Sequence, residues 1–299
     1  MKTARPALTL VAAIAVGWVF AQTATTFTLK RDDTELVITN RALASEGARS
    51  IGNNRNCEEG VRLTVVYGPA PGRVETQVED SLLTSHLAII RTPEGAEEGE
   101  GQETLELRDA TVTFDRPGCP QEIVDAEAPQ VNLVQGRTTV TGTRFFLERE
   151  EDVGVLDGPV RLVRAAQGAD SRGSTASGAA DAADGSDAAD ASDGAGASDG
   201  VAPASGADLV AEADAMRFAI GEQRATLSGN VRVTSDERVT SGDTLELDEE
   251  AGTAVLTGAP ARSTKGNDVI EGNRLLYYLD TDDVVVLGNV QGELEVELE

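Results

Sequence analysis

A glycine-centred hairpin recurs four times along this 299-residue chain, and that repeat limits the possible folds more tightly than anything else in the sequence. Gly142 and Gly158 are sixteen residues apart in VTGTRFFLEREEDVGVLDGPV, and Gly242 and Gly258 hold the same spacing in TSGDTLELDEEAGTAVLTGAP. Gly272 and Gly288 repeat it in IEGNRLLYYLDTDDVVVLGNV. In AEADAMRFAIGEQRATLSGNV the second glycine is Gly229, and Ala213 replaces the first. The last three copies begin 29 and 30 residues apart (213 to 242, 242 to 272). A fixed period of this size with strand-like content predicts stacked supersecondary units rather than a globular domain around a cleft.

Within each copy the apolar residues keep one parity. Three and five positions after the first glycine stand Phe145 and Leu147, Met216 and Phe218, Leu245 and Leu247, Leu275 and Tyr277. Phe146, Arg217, Glu246 and Leu276 lie between them, charged in two copies. A charged or turn-forming stretch follows, and the return strand carries Leu156, Leu227, Leu256 and Val286 two residues before the second glycine. Val160, Val231, Pro260 and Val290 follow two residues after it, which puts them on the same face. Period-two alternation between Asp, Glu and Gly turns predicts half-buried antiparallel strands. One hairpin cannot bury its apolar face alone, so neighbouring copies must stack and align these positions as an interior ladder. The glycines are expected at bulges or sharp bends. No sustained 3.6-residue apolar pattern follows the first twenty residues, so the fold class is all-β.

MKTARPALTLVAAIAVGWVFAQT reads as a secretory signal peptide over residues 1–21, with Lys2 and Arg5 before an apolar run and small residues at the cleavage position. An uncleaved N-terminal anchor is the alternative. In an exported protein the two cysteines, Cys57 and Cys119, are expected to form a disulfide rather than a metal site, since neither has a Cys or His at metal spacing. His86, the one histidine, reads as a surface or edge residue.

The formal net charge of −27 argues against nucleic acid and anionic bilayers as non-specific partners. Acidic turns such as Asp280, Asp282 and Asp283, or Asp248, Glu249 and Glu250, lack the spacing of a dedicated calcium loop, so no metal site and no cofactor is expected. Residues 166–207 are rich in Ala, Gly, Ser and Asp and too poor in apolar groups to offset ordering entropy. They are expected to be disordered, as an insertion in one hairpin loop or as a linker. They separate a divergent β region over 23–165 from the regular repeats over 208–299. Within the former, TFTLKRDDTELVIT, VRLTVVYG, ETLELRDATVTF and QVNLV read as strands that do not fit the sixteen-residue spacing.

LSGNVRVTSDERVTSGDTLELDEEAGTAVLTGAPARST and VIEGNRLLYYLDTDDVVVLGNVQGELEV share a further pattern. A return strand ends in Thr-Gly or Ser-Gly-Asn-Val, a charged hairpin follows, and then Gly-Asp/Asn-x-Leu-x-Leu/Tyr. This resembles the organic-solvent-tolerance (OstA/LptA-like) family, which includes periplasmic lipopolysaccharide-export proteins. The resemblance is good over 207–299, fair over 137–164 and weak over 23–134. It implies a folded-over, partly open β-jellyroll whose apolar interior receives acyl chains and whose protomers stack edge to edge, alone or with other lipid-export components. The inward positions carried over as lipid-binding are Phe145, Leu147, Leu156, Val160, Met216, Phe218, Leu227, Val231, Leu245, Leu247, Leu256, Leu275, Tyr277, Val286 and Val290. Arg144, Arg232, Arg238, Arg262, Lys265 and Arg274 are the cations expected near the groove mouth.

The function expected is non-catalytic binding and transport of an envelope lipid, lipopolysaccharide or another. The alternative is a structural envelope or cell-surface scaffold whose interior holds only its own side chains. A carbohydrate-active enzyme fits poorly, because the carboxylates fall in turns and Trp18, the one tryptophan, lies in the signal.

Overall fold

The computed structural model describes residues 25–31, 34–42, 47–96, 102–116, 119–165, 209–219, 222–279 and 283–293. The expected signal peptide and the 166–207 segment lie outside the described residues. Among the described residues every regular element is a strand. The first thirteen are short: β1 (Thr25–Arg31), β2 (Thr34–Asn40), β3 (Arg49–Glu58), β4 (Val61–Tyr67), β5 (Val74–Val78), β6 (Ser81–Ser85), β7 (Leu87–Pro93), β8 (Thr104–Arg108), β9 (Ala110–Arg116), β10 (Cys119–Asp125), β11 (Val131–Gln135), β12 (Thr138–Gly142) and β13 (Arg144–Glu148). Six long ones follow: β14 (Val153–Arg164), β15 (Leu209–Ala219), β16 (Arg224–Ser235), β17 (Arg238–Asp248), β18 (Thr253–Lys265) and β19 (Asp268–Tyr278). The short β20 (Asp283–Leu287) and β21 (Gln291–Glu293) end the described chain.

The strands form one antiparallel network of 19 and a separate β9–β10 pair. The network folds into two facing layers because each long strand serves both. In β14, residues 153–157 pair with β13 while 161–164 pair with β12. A register break between Asp157 and Val160 separates the two halves. The same break recurs in β15–β16, β16–β17, β17–β18 and β18–β19. One layer therefore runs β1, β2, β5, β6, β11, β12 and then alternate halves of β14 to β19, ending at β21. The other runs β3, β4, β7, β8, β13 and the complementary halves, ending at β20. This is the folded-over all-β jellyroll that the family resemblance implies, built from the stacked hairpins expected from the repeat, and β14 pairs directly with β15 across the 166–207 segment.

The repeat glycines mark the bends, for two physical reasons. Gly158, Gly229 and Gly288 have φ of 89°, 78° and 73°, where a side chain is strained. Gly142 and Gly242 sit in the left half of the map like any residue, but an added Cβ would lie 2.5 Å from Leu156 Cγ and 2.8 Å from the Thr257 carbonyl oxygen respectively. The earlier strands escaped the spacing because their bends use other chemistry. Between β6 and β7 the bend is His86, whose Nδ1 meets Asp109 Oδ1 at the bend between β8 and β9. Asp109 Oδ2 also accepts the Gln130 N–H at 3.1 Å. The histidine expected as a surface or edge residue is thus half-buried at a bend.

After β8 the chain does not cross into the first layer. It leaves as the β9–β10 hairpin and returns at β11 to pair with β6. That hairpin lies on the outer face of the second layer, where Ala110 and Val112 join Leu63, Val65, Leu87 and Ile89 in a second small core. The run Leu87–Ile90 is buried at every position because both faces of β7 are covered. Cys119 of β10 is joined to Cys57 of β3, with Cα atoms 5.1 Å apart.

Two consequences can be measured. Gly158→Ala places a methyl on Thr143 at positive φ and lowers stability by about 1–3 kcal/mol in urea titration. Gly60→Ala, at positive φ but with open space around it, costs only the backbone part, about 1 kcal/mol. Replacing Cys57 and Cys119 together by alanine removes a cross-link spanning 62 residues. The expected loss is about 2–4 kcal/mol, with new proteolytic cleavage confined to the β9–β10 hairpin.

Candidate functional site

The space between the layers is the one feature to which almost every sequence-expected site residue points. Phe145, Leu147, Leu156, Val160, Met216, Leu227, Val231, Leu245, Leu247, Leu256, Leu275 and Tyr277 are all buried in a single core cluster. Phe218 and Val286 are partly buried and pack against it. The two layers contribute unequally. The second supplies the bulk, from Phe145 and Leu156 through Leu245, Leu256, Leu275 and Tyr277. Opposite the regular repeats, the first supplies many small or hydroxylated residues, Ala211, Ala213, Thr240, Ala261 and Ser263, beside the aliphatic Leu209, Val231 and Val233. Thr240 and Ser263 lie with their hydroxyl oxygens 3.3 Å apart, and Arg238 Nη1 donates to Ser263 Oγ at 3.1 Å, so this polar pair is satisfied. Phe145 and Phe218 stack with centroids 5.7 Å apart. They meet because Gly154 stands between their strands, where an added Cβ would lie 2.8 Å from one ring and 2.7 Å from the other.

Two expected inward positions are overturned. Val290 is 57 % exposed. It falls between β20 and β21, outside any ladder among the described residues. Pro260 is exposed because three residues, 258–260, oppose one in the β18–β19 bulge. The extra residue reverses the parity, and Ala261 takes the inward place at 0 % exposure.

The bends close one long side of the interior, and the hairpin turns of the two layers face each other along the opposite side. A polar clasp bridges this mouth. Arg164, the last residue of β14, points inward with 4 % of its side chain exposed. Its Nε lies 3.1 Å from Glu249 Oε2, and its Nη1 donates to the Leu279 carbonyl oxygen at 2.9 Å. Thr138 at the start of β12 donates its hydroxyl to Glu249 Oε1 at 2.6 Å. Arg164 and Thr138 belong to the first layer, whereas Glu249 and Leu279 belong to turns of the second. Those turns are tied to one another by Glu249 N–H to Gln223 O at 2.8 Å and Leu279 N–H to Gly252 O at 2.9 Å. Asp248 fixes the same turn by accepting the Ala251 N–H at 2.8 Å. That amide, with Arg224 beside it, holds the Asp248 carboxyl below the ordinary carboxylate range.

Beside the clasp lies a cavity of about 20 Å³ lined by Leu133, Val140, Met216, Phe218, Ala225 and Leu247 together with the polar Gln135, Thr138, Gln223, Arg224 and Glu249. It has room for about one water molecule. Both layers contribute to its wall, so it is a gap between the sheets rather than a surface dimple.

Sequence reasoning placed the mouth cations elsewhere. Arg232, Arg262, Lys265 and Arg274 are exposed, and Arg262 pairs across the surface with Glu271 at 3.7 Å. Arg144 lies near Glu106, 3.0 Å away, beside Arg108 and Arg91. Only Arg238 is partly buried. Arg164 and Glu249 were missed, yet a signal existed. Each ends an alternation, Val160-x-Leu162-x-Arg164 and Leu245-x-Leu247-x-Glu249, and so puts a charge at an inward position. Asp280 and Asp282 lie outside the described residues, and Glu249 is engaged by the clasp. Among the described residues no group of three or more His, Cys, Asp or Glu side chains gathers as a metal site.

Truncating Arg164 to alanine strands the Glu249 carboxylate at the mouth. The expected cost is about 2–3 kcal/mol, below that of a fully buried pair because Glu249 reaches water, read as a lower denaturant midpoint. Phe145→Ala, which empties the centre of the interior, costs about 3–5 kcal/mol by the same measurement.

No curated protein matches the sequence. Among solved structures, the chain is similar to LptH, the LptA-homologous periplasmic component of the lipopolysaccharide transport device of Pseudomonas aeruginosa. The identity is 11 %, the match covers 70 % of this chain and 95 % of that one, and the TM-score is 0.27, too loose a superposition to transfer anything between them. Residues 128–253 match the family described as LptA/(LptD N-terminal domain) LPS transport protein. That stretch runs from just before β11 to the start of β18 and contains Thr138, Arg164 and Glu249, so the OstA/LptA-like family resemblance holds over the part of the chain that builds the clasp and much of the interior.

Proposed function

We propose that this protein is a non-catalytic carrier of an envelope lipid, lipopolysaccharide or another acylated species, on its way toward the outer membrane. The observation that carries this is the apolar interior between two layers that are covalently continuous only at the bends and clasped by a few polar contacts along the mouth. The family of residues 128–253 supports the same role, because its description is lipopolysaccharide transport. Parting the mouth would let acyl chains replace contacts among Leu133, Met216, Phe218 and Leu247. Each methylene taken out of water is worth about 0.8 kcal/mol.

The chain would be exported to the periplasm by residues 1–21, or tethered there if they are retained. Residues 166–207 would serve as an insertion in one hairpin loop or as a linker between the 23–165 and 208–299 regions. The free edges of β1, β3, β20 and β21 would offer backbone groups to another copy or to another lipid-export component.

One observation favours a second reading. The interior is closed by its own side chains, as in a scaffold without ligand. The two readings separate on native mass spectrometry of the mature protein purified from its own envelope, followed by organic extraction. A carrier yields acylated species, and Ala225→Leu, which fills the cavity, reduces them while the thermal midpoint moves by only a few degrees. A protein that arrives empty and refuses added lipid is the scaffold.

A further inference from the structure

We infer that Arg164 is the receptor for an anionic headgroup on the carried lipid, and that Glu249 holds its place until such a lipid arrives. This rests on the carrier function proposed above and assigns a part of it to named atoms.

Arg164 is a guanidinium at an inward position of an apolar interior, 4 % exposed, in a chain of net charge −27. A cation so placed needs an anion, because burying it unpaired would cost several kcal/mol. Glu249 supplies one, but from a hairpin turn, with 23 % of its side chain still in water. It can therefore leave without being dragged through the core. Its departure would open the Nε side of the Arg164 guanidinium, with Nη1 still held by the Leu279 carbonyl, to a phosphate or carboxylate oxygen. It would also release Thr138, the second link across the mouth. The cavity lined in part by these same two residues lies beside them. Headgroup capture and admission of the chain would then be one event, with an external anion exchanged for an internal one. Arg224 also lines this cavity, but it is 66 % exposed and paired with Asp248 at 3.1 Å, whereas Arg232, Lys265 and Arg274 do not line it.

The test uses the mature protein with two probes of the same acyl chain, lysophosphatidate and monoacylglycerol, each below its micellar concentration, by calorimetry. The wild type is expected to favour lysophosphatidate by about tenfold, the scale of a charge-assisted pair. Glu249→Gln, which keeps the size of the side chain and one of its two acceptor oxygens but removes the charge facing Arg164, lowers the thermal midpoint and should raise lysophosphatidate affinity several-fold and widen the ratio. Arg164→Gln should bring the ratio to about one while monoacylglycerol still binds. A merely structural clasp would lower thermal stability in both variants and leave the ratio unchanged, which overturns the inference. So would weaker lysophosphatidate binding by Glu249→Gln, a result that suffices if Arg164→Gln does not fold. Inorganic phosphate alone, if it binds as tightly as lysophosphatidate and is lost in Arg164→Gln, makes the ligand free phosphate and overturns the lipid assignment. If the wild type binds both lipids equally, only the headgroup role fails. If it binds neither, the carrier function fails with it.

Discussion

Because one long strand contributes to both layers, its hydrogen-bond ladder has to break at the same height as the ladders of its neighbours, or the layers could not fold over a common line. The bulges in β14 to β19 meet this demand, and the rest of the architecture follows from it. A bend in register creates two facing sheets. Side-chain alternation on each side of the bend turns one face of both sheets inward. The outer faces are left to solvent or, at the N-terminal end, to the β9–β10 hairpin.

That constraint explains how much could be read before any coordinates. Where bends are made of backbone alone they demand glycine, as at Gly158 with positive φ or Gly242 against the Thr257 carbonyl, and a glycine at fixed spacing is visible in a sequence. Leu245, Leu247 and Leu256 were legible for the same reason, since alternation counted from a glycine gives the face. Where a bend is held by side chains, as His86 and Asp109 hold theirs, nothing marks it in one sequence, and β1 to β11 looked irregular. Pro260 shows the limit of counting, because one extra residue in a bulge reversed the parity that the glycine had set. Val290 shows another, because the alternation in the sequence runs on past the end of the β20 ladder.

The clasp was hidden by a different habit of inference. Charged residues in a strand protein are assigned to the outside, and nearly all of these are. Arg164 is one of four buried charged residues among those described, with Glu103, Glu106 and Arg149, and its pairing with Glu249 joins positions 85 residues apart. Only the fold-over brings them together. The regular half of the stack is thus described well by its repeat, while the pairing that bridges its mouth is long-range.

The β9–β10 excursion also has a bearing on how the chain reaches this state. From β15 to β20 successive strands are neighbours joined by short turns, so each can add to the one before it as a zipper closes, and the entropy lost at each step is that of a short turn. At β6 that locality fails. Its partner in the first layer is β11, and β7, β8 and the whole excursion lie between them in the chain. Closing that gap is a non-local event, of the kind that sets the pace of β-sheet assembly. Until it happens, the N-terminal strands of the first layer have no seam to the rest of the stack. The hairpin that cushions the outside of the molecule is therefore also the reason its two halves must find each other rather than simply grow together.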